Sequence, residues 1–437
     1  MTLKNILQPT NVLALFFFLV PWQTRYIFGL SYLSGTPTEF ATLSLYATQV
    51  FLLLGLVCAY VVWGLPKIDK QYRIPLLLGG AIVLLMTVSA FLAHWSIPAL
   101  AGLLDLAFAA LAFAALLDSR VEAKTVMRGF IVGLLLPLIV AVIQVFGGGH
   151  GASTLLGLAP RSAEQLGDAV TVIDGTRVLR AYGSFPHPNI FGGYLAVALA
   201  AVLTLPSLFA HVRQRSAVNA LLALLLAGLV LTMSRSAALG LLLGLGLAYL
   251  VLKAKNVSRA RIAVIPIATI VITLALGATL FAPDLVANMR GGGALEERSL
   301  SERKQQYSEW FSTLHGTDWI IGNGPRNYVF ALADEYPWRS VWDYQPIHNL
   351  PLLLISELGL VGLLVVVSWS SSIDKINFAR FPNREALAAF AMGNVILVIL
   401  FFDHYLWSSW SGLALVAIVM AQTLRFGENS ANLPHRR

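Results

Sequence analysis

Residues 217–253 read AVNALLALLLAGLVLTMSRSAALGLLLGLGLAYLVLK, and Arg235 is the only charged residue before Lys253 closes the run. A membrane-crossing helix needs about 20 mostly apolar residues. This stretch therefore holds two spans back to back, hinged on Thr232-Met233-Ser234-Arg235. Such a pair has no place in an ordinary soluble domain. The whole chain agrees: of 437 residues, 57% are hydrophobic and 12% charged, half the charge of a typical globular protein. Disordered, disulfide-built and cytosolic globular classes are excluded. Cys58 is the single cysteine, so no disulfide framework or cysteine-based metal site is expected. The net charge of +8 reads as basic loops on a membrane's cytoplasmic side, with no nucleic-acid partner.

The same criterion applied along the chain predicts an all-α polytopic protein of twelve spans: 8–23, 43–65, 74–94, 97–117, 129–146, 190–209, 217–234, 236–253, 262–282, 350–371, 386–404 and 407–424. The first is short, and no small-x-small cleavage site follows it, so it reads as a retained anchor. With the N-terminus in the cytoplasm, nineteen of the thirty Lys and Arg fall in inner loops or tails, and only Arg25 and Arg235 in short outer connections. Both termini are then cytoplasmic. Five segments result: spans one to five in 1–146, a long outer loop at 147–189, spans six to nine in 190–282, a second outer loop at 283–349, and spans ten to twelve with a tail in 350–437. No repeat of 20–50 residues is visible.

Charges at or inside spans cost several kcal/mol unless paired or solvated, so they point to function or to helix–helix contacts. Arg235 sits in a tight outer turn against the charge rule. Arg180-Ala181-Tyr182-Gly183-Ser184-Phe185-Pro186-His187-Pro188-Asn189 enters span six. Its prolines and glycine forbid continuous helix, and irregular backbone at this depth suits a solvated cavity. Asn189 also suits the N-cap of the following helix. The second loop ends in Gly322-Asn323-Gly324-Pro325-Arg326-Asn327 and then Ile347-His348-Asn349, with Glu357 inside the next span. His348 is the titratable group at the mouth of that span. Arg298, Arg303 and Lys304 flank a helical stretch with Tyr307, Trp310 and Phe311, suited to a membrane interface. Asp105 reads as a helix-contact residue, and Asp403-His404-Tyr405 could join the outer site.

Converging guanidiniums suit phosphate, because their planar fork donates two parallel hydrogen bonds. The outer face thus reads as a membrane-embedded site for a phosphorylated lipid. Walker A, H-E-x-x-H, G-x-S-x-G and outer-loop Asp-x-Asp motifs are missing, which argues against ATPase, zinc-protease, serine-hydrolase and metal-bound nucleotide-sugar chemistry.

Arg180-x-x-Gly183 with His187-Pro188-Asn189, then Thr232-x-Ser234-Arg235, resembles the O-antigen ligase/polymerase family. So do Arg303 with aromatics after it, Gly322-x-Gly324, and His348-Asn349 before Glu357-x-Gly359-x-x-Gly362. The likeness covers residues 129 to 424. It departs from the family at the third arginine, where Tyr307 stands four residues after Arg303 and the family usually has Trp; Arg298 is therefore also a candidate. The resemblance implies a GT-C-type glycosyltransferase of the bacterial inner membrane, with its active site facing the periplasm. It would move a glycan from undecaprenyl pyrophosphate to lipid A–core (ligase) or to another lipid-linked glycan (polymerase), inverting, metal-independent and without a cofactor. Arg180, Arg235 and Arg303 or Arg298 would bind pyrophosphate, and His348 would be the base. Asn189, Asn349 and Glu357 would support them, and Trp338, Trp342 and Tyr344 are candidates to stack on sugars. A lipid-linked-sugar transporter is the alternative from another class, but it should show internal repeats and helices broken near mid-membrane.

Overall fold

A computed structural model describes residues 3–173, 176–210, 212, 214–254, 294–381 and 383–426; the side chains of 3, 41, 173, 294–300 and 302 lie outside it. The predicted ninth span, 262–282, falls outside the described residues. A helix lies at each of the other eleven predicted positions.

In chain order the helices are α1 (Leu3–Ile6), α2 (Pro9–Leu19), α3 (Ala47–Trp63), α4 (Arg73–Leu92), α5 (Ser96–Leu116), α6 (Ala123–Gly133), α7 (Leu135–Phe146), α8 (Pro188–Thr204), α9 (Arg215–Thr232), α10 (Arg235–Ala254), α11 (Ala294–Ser312), α12 (Asp318–Ile321), α13 (Tyr328–Glu335), α14 (Leu350–Phe378), α15 (Arg384–Ile399), α16 (Tyr405–Ser408) and α17 (Trp410–Arg425). Among the described residues, six helical stretches are long and apolar enough to cross a membrane: Lys70–Leu92, Ser96–Leu116, Ala123–Phe146, Arg215–Thr232, Arg235–Ala254 and Leu350–Phe378. Pro9–Leu19, Ala47–Trp63, Pro188–Thr204 and Trp410–Arg425 are shorter apolar helices.

Helix α8 is the axis of the bundle. It is apolar on every side, and Ile190 to Val202 are buried throughout, as expected of a helix enclosed by others. Helices α9, α10 and α15 pack around it. Gly240 and Gly244 of α10 face the backbone of Ala391 and Val395 on α15. A second close crossing joins α2 to α6, where Gly129 and Gly133, four residues apart, leave room for the carbonyls of Ala14 and Phe18. Small residues at this spacing let helix backbones approach, the usual means of packing helices in lipid. The predicted fifth span is interrupted after Gly133 because Pro137 cannot donate to the Gly133 carbonyl. Outward ridges such as Val57, Val61, Leu84 and Phe91 are exposed and apolar, a surface suited to acyl chains.

The chain is mostly helical, with short strands in its connections. Four two-stranded antiparallel ribbons occur: β1 (Arg25–Gly29) with β4 (Leu43–Tyr46), β2 (Tyr32–Leu33) with β3 (Thr36–Pro37), β5 (Gly149–His150) with β6 (Arg161–Ser162), and β7 (Val170–Ile173) with β8 (Thr176–Leu179). Residues 25–46 are rich in Tyr, Phe, Ile and Thr, which favour strands. Ser34 and Gly35 both have positive φ, as a tight primed hairpin turn requires. The segment 147–189 holds two of the ribbons, so it is structured connection rather than slack loop.

The glycine motifs are explained by one backbone clamp. Helix α14 kinks at Gly359, whose φ is +69°. The kink releases the carbonyls of Ser356 and Glu357 from their helical partners. The amides of Asn323 (2.8 Å) and Gly324 (3.1 Å) donate to them instead. A side chain at Gly322 would overlap the Glu357 backbone, and one at Gly359 would overlap the Ile320 carbonyl. Gly359→Ala combines left-handed backbone with a backbone clash, so it should destabilise the protein by at least about 2 kcal/mol. Thermal unfolding in detergent would show this as a lowered midpoint; an unchanged midpoint would refute the clamp.

Candidate active site

Four elements converge at one end of the bundle: the entry to α8, the α9–α10 turn, the start of α14 and the end of α15. The chain between Leu179 and Pro188 cannot be helix, and it carries Arg180 against the α9–α10 turn. There Arg180 Nε donates to the Thr232 carbonyl (2.9 Å), and an NH2 group reaches Met233 O (3.4 Å). Met233 adopts the left-handed conformation (φ +50°) that ends α9, and Arg180 supplies cationic donors to its last carbonyls. The same NH2 group donates to Asn189 Oδ1 (2.8 Å), whose amide in turn donates to Asp403 Oδ2 (2.7 Å).

Asn189 is therefore a bridge between Arg180 and Asp403. The expected N-cap role belongs instead to His187, whose Nδ1 accepts from the Asn189 amide (3.1 Å). Pro188 at the first helical position fixes this order.

Burial pulls the Arg180 guanidinium down to about 10, opposed by Tyr182 and Asp403, and Arg235 and Arg303 add to the depression as neighbouring like charges. Arg180 stays cationic at neutral pH. The same relation places all three arginines in one electrostatic neighbourhood, although they come from three distant parts of the chain. Arg303 is on α11, and Arg235 is the first residue of α10. Arg298 also lies on α11, but its side chain is outside the described residues.

Helix α11 is docked onto the bundle through Trp310, whose indole N–H donates to Leu352 O (2.8 Å), and through Glu309, which pairs with Arg339 (2.6 Å). Its other face, with Tyr307 and Phe311, is exposed and still suits a membrane interface. Docking brings Gln306, three residues after Arg303 and on the same face, to His348. Gln306 Oε1 lies 3.3 Å from the His348 amide N–H donor and 3.0 Å from His348 Nδ1. The amide can only donate, so the atom it meets is the oxygen of Gln306. Nδ1 must then carry a hydrogen, and the neutral His348 ring presents an unprotonated Nε2. Gln306 was not read from the sequence. Its only signal was the helical offset from Arg303.

The imidazole of His348 meets that of His404 edge to face at 5.2 Å. Asp403 and His404 are thus brought against Asn189 and His348. Among the described residues, no three His, Cys, Asp or Glu side chains come together to hold a metal ion.

Other candidates lie apart from these contacts. Asn349 caps α14, its Oδ1 accepting from Leu352 N (3.2 Å). Glu357 is buried and accepts from the Trp407 indole (2.7 Å) and the Arg326 amide, a structural tie beside the glycine clamp. Asp105 pairs with Arg326 (2.6 Å) and accepts from Gln49 (2.7 Å), as a helix-contact residue should. Tyr344 is buried, with its hydroxyl donating to Tyr336 O (2.7 Å), so it cannot stack on a sugar; Trp338 and Trp342 are exposed.

Three arginines and an oriented imidazole from separate segments thus share one end of the bundle. Residues 220–367 match the family model of O-antigen ligases. The match bears out the O-antigen ligase/polymerase resemblance and spans Arg235, Arg303 and His348, but not Arg180 or Asn189. A comparison with curated proteins finds no match. The apolar helices and this family match together support a multi-pass membrane protein of O-antigen ligase/polymerase type, with lipid-linked glycans as its general substrate class.

Proposed function

We propose that the chain is an inverting glycosyltransferase that moves a glycan from undecaprenyl pyrophosphate to the hydroxyl of lipid A–core, at the periplasmic face of a bacterial inner membrane. The observation that carries this reading is the meeting of Arg180 with the α9–α10 turn that leads into Arg235, beside the His348 imidazole held by Gln306 of the Arg303 helix. In this proposal the protein crosses the membrane twelve times, both termini are cytoplasmic, and 147–189 and 283–349 face the periplasm.

His348 Nε2 takes the acceptor's proton as the hydroxyl oxygen bonds to the anomeric carbon. The bond from that carbon to the pyrophosphate oxygen breaks with its electron pair on the phosphate. The arginines meet the charge gathering there, as pre-positioned donors in a site with little water. Asn189 and Asp403 hold Arg180, and Gln306 holds the ring of His348. The absence of Asp-x-Asp motifs from the predicted outer loops favours a metal-independent reaction.

Gln306 sets the tautomer, so its substitution should act through His348. Gln306→Glu places a carboxylate on the ring, favours the imidazolium, and should move the acidic limb of the kcat/KM profile to higher pH. Gln306→Leu should lower kcat with little change in KM. A pH–rate series would reveal either effect, and identical profiles in all three proteins would refute the assignment.

The overall reading is tested with purified protein, undecaprenyl pyrophosphate-linked glycan, lipid A–core and EDTA. Transfer to lipid A–core supports the ligase, and a ladder of lengthened donor glycans would indicate a polymerase using the same residues. Movement of the lipid-linked sugar across liposomes without donor consumption would replace both with a transporter.

A further inference from the structure

Between α2 and α3 the chain forms a hairpin, 25–46, whose surface is unlike that of the other connections. Residues 26–38 hold no charged side chain, and the two charges that bracket them, Arg25 and Glu39, pair with each other at 2.6 Å. Tyr26, Ile27, Phe28, Leu30 and Tyr32 are nevertheless all exposed, Tyr26 at 73%. Strand edges that face water are usually guarded by charge. The 147–189 segment follows that rule, with Arg161, Glu164, Asp168 and Arg177.

Helix lengths set the depth of the hairpin's base. The start of α2 and the ends of α3 and α5 lie level: Thr10 donates to the Arg120 carbonyl, Arg120 donates to the Trp63 carbonyl, and Arg120 follows closely on α5. From that level α5 rises about 31 Å, α3 about 25 Å and α2 only about 16 Å, at 1.5 Å per residue. The Ala47 amide at the top of α3 donates to the Thr24 carbonyl (2.9 Å), so the first rung of the ribbon, Arg25 opposite Tyr46, stands about 6 Å below the top of α5. Tyr26 to Phe28 extend at most about 10 Å beyond this rung. Against a hydrocarbon layer about 30 Å thick, they fall at the boundary of acyl chains and headgroups, where tyrosine is favoured. Water and headgroups can still meet the unpaired backbone groups of β1 there, which hydrocarbon alone could not. Strand β4 runs directly into α3, whose Leu54, Val57 and Val61 form an exposed apolar ridge.

The other side of the hairpin reaches the candidate site. The turn Glu39–Ala41 and β4 pack on α5, and the Phe40 ring meets the His404 ring edge to face at 5.9 Å. We propose that the 25–46 hairpin is a lipid-contact wedge: Tyr26, Phe28 and Tyr32 sit among the acyl chains and headgroups of the leaflet beside the candidate site, and the hairpin spans from that leaflet to His404. Its partner is the bilayer, which covers an apolar row that water would leave bare. The proposal rests on the membrane reading and is independent of glycosyl transfer.

The test is spin-label accessibility on the full chain in lipid nanodiscs, in a Cys58→Ser background because the native cysteine is exposed. Labels are placed at Tyr26→Cys, Phe28→Cys and Tyr32→Cys. Val61→Cys is the lipid reference, and Leu166→Cys, exposed between Glu164 and Asp168, is the water reference. All five positions are exposed, so the variants should keep the wild-type unfolding midpoint. The hairpin labels should show about a tenfold higher ratio of oxygen to nickel-chelate collisions than Leu166→Cys, because a polar complex is excluded from acyl chains. A water-like ratio at all three, with a lipid-like ratio at Val61→Cys, overturns the wedge alone. A water-like ratio at Val61→Cys as well overturns the membrane reading with it. Poor access to both reagents, with spin–spin broadening between copies, would give this face to a second chain and also overturn the proposal.

Discussion

His348→Ala should remove nearly all glycosyl transfer while the protein folds and inserts normally. A positioned general base contributes about 100- to 10,000-fold. His187 cannot substitute through Nε2, because its Nδ1 accepts from the Asn189 backbone amide and its neutral ring then carries the hydrogen on Nε2. The loss should fall on kcat, because the imidazole acts on the acceptor's proton and contributes little to holding either lipid. Turnover within threefold of wild type, in a protein with unchanged thermal stability, would mean that the proton leaves by another route.

Arg235→Ala should be the next most damaging change, costing about 100- to 1,000-fold in kcat, as expected for removing one pre-positioned donor to a developing charge. Arg180 ties down the end of α9 and reaches Asp403 through Asn189, so Arg180→Ala would mix lost chemistry with a loosened turn. Arg235→Lys should recover only part of the rate, since an ammonium lacks the two-pronged fork. Full activity in Arg235→Ala would show that the positive end of the bundle does not face the leaving group.

Most of the architecture is written in apolar run length, which is why a helix stands at every predicted span among the described residues. The ribbons were missed because period-two patterns of two to five residues vanish beside runs of twenty apolar ones. Arg180, Arg235 and His348 were legible for a physical reason: charge or irregular backbone beside a span demands an explanation. Glu357 drew notice on the same ground, but its partners are the Trp407 indole and the Arg326 amide, and sequence spacing cannot reveal partners 50 and 31 residues away. Gln306 is the opposite case. A neutral amide on a polar helix carries no sequence signal, and its importance comes only from the docking of α11 by Trp310. The glycine motifs were visible as spacing, but their cause is the approach of 320–324 to the kink at Gly359.

The central claim is that Arg180, Arg235 and Arg303 receive a pyrophosphate next to His348. A cryo-EM structure of the full chain with undecaprenyl pyrophosphate tests it most directly. The account predicts phosphate oxygens within hydrogen-bond distance of at least two of these guanidiniums, the lipid tail leaving between helices, and His348 Nε2 facing the terminal phosphate. Pyrophosphate bound elsewhere on the protein, with the arginine cluster keeping only its protein contacts, would contradict it.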